Sequence, residues 1–279
     1  MSKIYYISDL LLEDLVGGGE LNDHELCEML TKEGCKLTKT RSHEVNLNNL
    51  SADGFYIISN FINLGKNIKE YLQHNCNYVI YEHDHKYLTT RNPAVYENYK
   101  APSEHVINKE FYEKAKAVFC QSSFHEDIIK KNTGLTNIYN VSGNLWSKDS
   151  LEVMRILSRK EKSDCYSILN SRIEHKNTKE TAFYCDKKGY KYSLISSNNY
   201  QEFLSLLSNN ERFMFLPKTP ETLSRIVVEA KMMNMKVTTN KRVGASYEPW
   251  FGLKGEGLID LMSSKKKEIV NRMLEVINE

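Results

Sequence analysis

Phe213-Met-Phe-Leu-Pro217 is a short apolar run, Glu221-Thr-Leu-Ser-Arg-Ile-Val-Val-Glu229 follows it, and Lys236-Val-Thr-Thr239 ends the stretch. This order predicts a strand, a helix and a second strand. If both lay on the helix, Glu221 and Glu229 would be about 12 Å apart along its axis, at ~1.5 Å per residue. Two carboxylates at that separation can hold two ends of an extended ligand. The alternative is a solvated helix face, because the chain has 36 acidic residues and such pairs also arise by chance.

The alternation of strands and helices continues along most of the chain. Apolar runs rich in β-branched and aromatic residues, separated by helical patterns, indicate parallel sheets covered on both faces. The pattern breaks around Ser142-Gly-Asn-Leu-Trp-Ser147. We therefore predict an N-terminal domain over residues 1–147 and a C-terminal domain over residues 148–279. The amphipathic segment 263–279 is expected to pack back on the first domain.

Composition limits the class of protein. Of the 279 residues, 41% are hydrophobic and 27% are charged, as in soluble globular proteins. A net charge of +2 neither indicates nor excludes a nucleic-acid partner. The six cysteines show no C-x-x-C pair and no zinc-ligand spacing, which predicts reduced thiols in a cytoplasmic protein. No apolar run approaches the ~20 residues needed to span a bilayer, and the N-terminus predicts a strand instead of a signal segment.

Two cations precede a predicted helix in the C-terminal half. Arg172 and Lys176 follow the predicted strand over residues 166–170, where backbone N–H groups and the helix dipole favour an anion. A guanidinium and an ammonium there could bind a diphosphate. The alternative is a pair of solvated surface cations.

The stretch from Pro217 to Ala230 resembles the E-x7-E segment of retaining GT-B glycosyltransferases, especially glycosyltransferase family 4. Gly17-Gly18-Gly19-Glu20 resembles that family's G-G-A-E loop, and Gly143-Asn144 resembles the turn that leads out of its first domain. Arg172 and Lys176 fall where the family places its diphosphate-binding residues. One departure is Asn234-Met-Lys-Val237, which stands where the family has G-x-P-V.

The resemblance implies an α/β protein of the GT-B type, with two Rossmann-like domains facing a cleft and a nucleotide-sugar, expected to be a UDP-sugar, as donor. It implies that Glu221 contacts the transferred sugar, that Glu229 holds the ribose, and that Gly18 and Gly19 also approach the donor. It further implies that no metal is required. A hypothesis from another class is a non-catalytic, two-lobed protein that binds a nucleotide-sugar without turnover.

A polar run, Tyr81-Glu-His-Asp-His-Lys86, directly follows a predicted strand. His83 and Asp84 are candidate catalytic groups, because the resembled family often has a His in this loop near the transferred sugar. His85 and Arg91 are candidate acceptor contacts. Glu82-x-Asp84 superficially copies a metal-binding D-x-D, but the two side chains would point to opposite faces of a continuing strand. A structural histidine is the alternative for this loop.

The chain also resembles small bacteriophage-encoded glycosyltransferases, some of which modify hydroxymethylated cytosine in DNA. The resemblance implies 5-hydroxymethylcytosine in double-stranded DNA as acceptor, glucose or arabinose as the sugar, and the host cytoplasm as location. A DNA acceptor would need cations along the cleft, and the candidates are Lys36, Lys39, Arg41, Lys86 and Arg91. The alternative acceptor is a cell-surface glycan or lipopolysaccharide. The sequence gives no prediction of oligomeric state.

Overall fold

A computed structural model describes residues 3–279. The chain divides into two compact units. The first contains the residues up to Leu145 together with Lys266–Glu279, and the second is Trp146–Lys265. The division falls within the stretch where the strand and helix pattern breaks.

The first unit contains a parallel six-stranded sheet in the order β2-β1-β3-β4-β5-β6. Its strands are β1 (Lys3–Ser8), β2 (Lys36–Arg41), β3 (Phe55–Ile58), β4 (Asn77–Tyr81), β5 (Ala117–Cys120) and β6 (Ile138–Asn140). Its helices are α1 (Gly18–Lys32), α2 (Lys66–Asn75), α3 (Lys109–Glu113) and α4 (Ser123–Thr133).

Both faces of this sheet are buried at its central strands β3, β4 and β5, which explains the nearly continuous apolar runs there. Along β3, Tyr56 and Ile58 face one hydrophobic cluster, while Phe55 and Ile57 face the other. Successive strand residues alternate between faces, so a strand covered on both sides must be apolar at every position.

The second unit contains a parallel four-stranded sheet in the order β10-β9-β7-β8. The strands are β7 (Ser163–Leu169), β8 (Tyr192–Ile195), β9 (Asn210–Phe215) and β10 (Lys236–Thr239). Its helices are α5 (Lys148–Ser158), α6 (Thr178–Lys188), α7 (Tyr200–Leu207) and α8 (Arg225–Met232). The last helix, α9 (Gly255–Asn278), begins in this unit and ends in the first.

The last helix supplies apolar side chains to both units. Leu258, Ile259 and Met262 of α9 belong to the hydrophobic core of the second unit. Ile269 and Met273, further along α9, belong to a hydrophobic cluster of the first unit. The expectation that the C-terminal helix packs on the first domain is therefore confirmed.

In each sheet, the chain adds the next strand on one side of the first strand and then crosses to its other side for the strand after that. β1 lies between β2 and β3, and β7 lies between β8 and β9. At such switch points the loops after adjacent strands diverge and leave a crevice at the carboxyl ends, where open α/β sheets bind ligands. The polar side chains that follow β1, β3, β7 and β9 are therefore the first to consider as functional.

Candidate donor site and the polar network of the first unit

The loops that follow β7 and β9 are joined by hydrogen bonds in the second unit. The Lys176 ammonium lies 2.8 and 2.9 Å from the two carboxylate oxygens of Glu221. The Asn177 side-chain amide donates to the Leu216 carbonyl at 2.7 Å. Two of the residues predicted to bind the donor, Lys176 and Glu221, thus meet at the switch point of this sheet.

Glu221 does not lie on a helix, so the axial separation of about 12 Å, which holds only if both carboxylates lie on one helix, does not apply to Glu221 and Glu229. Its backbone N–H donates to the Arg242 carbonyl at 2.7 Å, and its carbonyl accepts from the Gly244 N–H at 2.9 Å. Both backbone groups are therefore committed to the loop after β10, and Glu221 forms an isolated parallel bridge with Val243. Helix α8 begins only at Arg225.

The N-terminus of α8 carries a hydroxyl group that has no hydrogen-bond partner within residues 3–279. Ser224 precedes the helix in the left-handed conformation, with φ 72° and ψ 81°, and its side chain makes no capping hydrogen bond. The residue is 6% exposed, and its Oγ is buried without a partner. A helix N-terminus presents N–H groups that favour a bound anion, so Ser224 stands beside a potential phosphate position.

Glu229 is buried on α8 and accepts three hydrogen bonds on one oxygen. Its Oε1 receives Trp146 Nε1 at 3.0 Å, the Tyr200 hydroxyl at 2.6 Å and Arg225 Nε at 2.9 Å. Burial, and next the Glu229 charge, raise the pKa of Tyr200 far above its usual value, so the phenol stays protonated and donates.

The other predicted donor residues differ in their surroundings. Arg172 is exposed between β7 and α6, and it forms no ion pair with any residue that the structure describes. Gly18 and Gly19 form the start of α1, in the first unit. A Cβ on Gly19 would meet no atom within 4 Å, so packing in this structure does not require glycine there.

In the first unit, the polar side chain of His83 is held between two partners. His83 Nε2 lies 2.5 Å from Asp23 Oδ1, and its other ring nitrogen contacts the Gln121 amide. Asp23 also accepts the Ser59 hydroxyl at 2.5 Å. Burial would raise the pKa of Asp23, but the His83 charge and these hydrogen bonds outweigh it and lower that pKa.

Asp84 and Arg91, one a predicted catalytic group and the other a predicted acceptor contact, are paired with each other. Arg91 Nε lies 2.7 Å from Asp84 Oδ2. Although burial raises the pKa of Asp84, neighbouring cations, Lys86 foremost, lower it overall. Arg91 has a left-handed backbone with φ 53°, a conformation that is uncommon for a residue other than glycine.

His85 is buried with an edge-on ring contact to His125, and its Nδ1 lies 2.8 Å from the Tyr87 hydroxyl. A direct contact to an acceptor would require this side chain to move. Lys86 is also buried, in an ion pair with Glu82. The expectation that Lys86 lines a cationic rim is therefore wrong, because its ammonium is closed off inside the first unit.

Two further properties follow from the described residues. Within residues 3–279, no group of three or more His, Cys, Asp or Glu side chains is arranged to hold a metal ion. Over the same residues, no helix is both long and apolar enough to cross a membrane.

Sequence reasoning missed Asp23, Trp146, Tyr200, Ser224 and Arg225 as members of these clusters. The spacing of Arg225 and Glu229, one helical turn apart, could have indicated an ion pair. The other contacts join residues on separate elements of the fold, so no local sequence pattern predicts them.

Comparisons with known proteins bear on the fold. No protein-family model matches the chain, and no curated protein matches it either. Several solved structures, among them the following three, resemble it over most of its length. An alpha-glucosyltransferase in complex with UDP and a 13-mer DNA containing a HMU base has 13% identity, 100% coverage of both chains and a TM-score of 0.55.

The second is a UDP-forming alpha,alpha-trehalose-phosphate synthase from Burkholderia xenovorans, with 6% identity, coverage of 100% of this chain and 99% of that chain, and a TM-score of 0.60. The third is a sucrose-phosphate synthase from Thermosynechococcus elongatus, with 10% identity, coverage of 88% and 82%, and a TM-score of 0.59. The chain therefore has the α/β fold of GT-B glycosyltransferases, as predicted.

Proposed function

We propose that this protein is a retaining glycosyltransferase that moves a sugar from a UDP-sugar to a hydroxyl group. The observation that carries the proposal is the Lys176–Glu221 pair at the switch point of the second sheet. In that pair a cation lies beside the carboxylate that we assign to the sugar, and Glu221 precedes the helix N-terminus at Ser224 by three residues. The GT-B fold, shared with UDP-dependent enzymes, supports the same class of reaction.

In this proposal the charge on the leaving group determines which residues matter. The bond between the anomeric carbon and the diphosphate oxygen breaks, and a bond from the acceptor oxygen forms on the same face of the sugar. The acceptor proton passes to the departing diphosphate. Arg172 and Lys176 stabilise the charge that develops on that diphosphate, so we expect no metal requirement. Glu221 orients the sugar and Glu229 binds the ribose.

We assign the acceptor to 5-hydroxymethylcytosine in DNA. The support is the similarity, over the full length of both chains, to a glucosyltransferase solved with UDP and modified DNA. A base in a duplex must be extruded before its hydroxyl can react. Of the proposed rim cations, Lys36 and Lys39 are exposed, whereas Arg41 and Arg91 already pair with Asp14 and Asp84.

A transfer assay tests the whole proposal. Radiolabelled UDP-glucose and UDP-arabinose are mixed with the protein and with duplexes that contain either 5-hydroxymethylcytosine or cytosine. We expect label on the first duplex only. Label on a lipopolysaccharide or oligosaccharide, with none on DNA, would show that the acceptor is a glycan and not DNA.

Two further measurements separate the remaining alternatives. A non-catalytic binding protein would bind UDP-sugar but would not slowly hydrolyse it when acceptor is absent. Stereochemistry read by NMR is expected to show retention. Inversion would instead require a general base, and His83 or Asp84 would be the candidates.

A further inference from the structure

The Glu229 carboxylate is asymmetric in its contacts. All three hydrogen bonds that it accepts end on Oε1, and Oε2 accepts none from residues 3–279. We propose that Trp146, Tyr200 and Arg225 are positioning residues that saturate Oε1 and thereby reserve Oε2 for a ribose hydroxyl of the bound nucleotide. This inference rests on the proposed function, because it needs a nucleoside diphosphate as ligand.

The capacity of a carboxylate oxygen makes the asymmetry meaningful. Each oxygen offers about two lone pairs to hydrogen-bond donors, so Oε1 with three donors has no room for a fourth. A hydroxyl that approaches Glu229 must therefore donate to Oε2. Because a carboxylate rotates freely in solution, a site that recognises a hydroxyl gains from donors that hold its plane fixed.

The three donors come from separate parts of the second unit. Trp146 precedes α5, Tyr200 is the first residue of α7, and Arg225 is the first residue of α8. Arg225 lies with its guanidinium carbon 4.6 Å from the centroid of the Trp146 ring, so its own position is also restrained. Three independent elements thus determine the orientation of one buried carboxylate.

The position of Glu229 along α8 fits a ligand that begins at the helix N-terminus. From Ser224 to Glu229 the helix rises about 7.5 Å, at ~1.5 Å per residue. This distance is comparable to the span from a diphosphate to the hydroxyls of its ribose. Ser224 has a buried Oγ with no partner among the described residues, so the phosphate end of such a ligand would supply what that hydroxyl lacks.

The test compares two ligands that differ only in the ribose. Calorimetry measures the affinity of UDP and of 2′,3′-dideoxy-UDP for the wild type, Tyr200→Phe and Trp146→Phe. Tyr184→Phe is the matched control, because that tyrosine is 40% exposed on α6. We expect the wild type to prefer UDP about tenfold, as for one hydrogen bond to a charged group. In both variants that preference should fall several-fold, and in the control it should not change.

The outcomes separate this inference from the proposed function. If the wild type does not bind UDP, the proposed function and this inference fail together. If it binds UDP but shows no preference over the dideoxy form, or if the variants weaken both ligands equally, the proposed function stands and this inference is overturned. If Tyr200→Phe does not fold, as judged by circular dichroism, Trp146→Phe decides.

Discussion

Two ion pairs, one in each unit, differ in how far they are buried. In the first unit, the side chains of Glu82 and Lys86 are 0% and 2% exposed, and Tyr112 also donates to Glu82. In the second unit, the side chains of Lys176 and Glu221 are 26% and 13% exposed. Both pairs follow strands at the carboxyl edge of a parallel sheet. Sequence position alone therefore does not predict how far such a pair is buried.

The physical consequence of the difference is a different cost of exchanging partners. The buried charges of Glu82 and Lys86 have lost their hydration. Removal of either one therefore leaves the other without compensation. The ammonium of Lys176 is still partly hydrated. A phosphate can therefore take the place of Glu221 beside this ammonium, or bind it together with Glu221, at small cost. We infer that the closed pair contributes to folding and that the open pair contributes to binding, and each inference is testable.

The largest effect is expected from Lys86→Met. The substitution keeps the length of the side chain but leaves the Glu82 carboxylate buried without its cation. Breaking such a pair typically costs about 3–5 kcal/mol, and urea unfolding would measure it. Lys109→Met removes the exposed partner of Glu113 and is the control, expected to leave the unfolding midpoint nearly unchanged. Equal midpoints for the two variants would contradict a structural role for the closed pair.

The second effect concerns turnover instead of stability. Lys176→Met should lower the transfer rate by roughly 10²-fold, because in the proposed function this lysine stabilises charge that is largest in the transition state. The free energy of unfolding should change by less than ~1 kcal/mol, since the pair with Glu221 is partly exposed. The control is Lys179→Met, an exposed lysine on α6. A rate equal to that of wild type would show that Lys176 does not contact the leaving group.

The sequence predicted the central strands of the first sheet because that sheet is buried on both faces there. Strands such as β3 and β5 contain only apolar residues, so each is recognisable as a buried strand from its own sequence. β2 gives no such signal, because Lys36–Arg41 is mostly charged and polar. It is an edge strand that pairs only with β1, so burial did not select apolar residues at every position. α5 gives only a weak signal, because Leu151 and Met154, which are buried one turn apart, lie among charged residues.

The candidate site was predictable where it depends on strand order and not where it depends on tertiary packing. Lys176 and Glu221 follow β7 and β9, and any parallel sheet brings the ends of adjacent strands together. The spacing of Glu221 and Glu229 on one helix does not apply, because the loop after β10 binds the backbone groups of Glu221. Asp23, Trp146 and Tyr200 lie far in sequence from the residues they contact. Their roles required the packed structure.

The smallest effect is expected at an exposed ion pair of the first unit. Arg41 donates two hydrogen bonds of 2.8 Å to the Asp14 carboxylate. The hydrogen bond from Arg41, followed by one from the Leu11 N–H, lowers the pKa of Asp14 to about 2. Because the pKa is lower in the folded state, the contribution to stability is complete above the unfolded value near 4 and is lost as the pH falls through about 2.

Asp14→Asn removes this carboxylate and should reduce the unfolding midpoint in urea slightly at pH 7. The difference in unfolding midpoint between wild type and variant should become smaller between pH 4 and about 2, because the wild-type Asp14 carboxylate becomes protonated and loses its charge. High salt should also reduce this difference in midpoint at pH 7, since exposed charges are screened. Glu104→Gln is the control for the loss of an exposed carboxylate that forms no ion pair with the residues described. A difference that stays constant from pH 7 to pH 2 would mean that Asp14 contributes through packing and not through its charge.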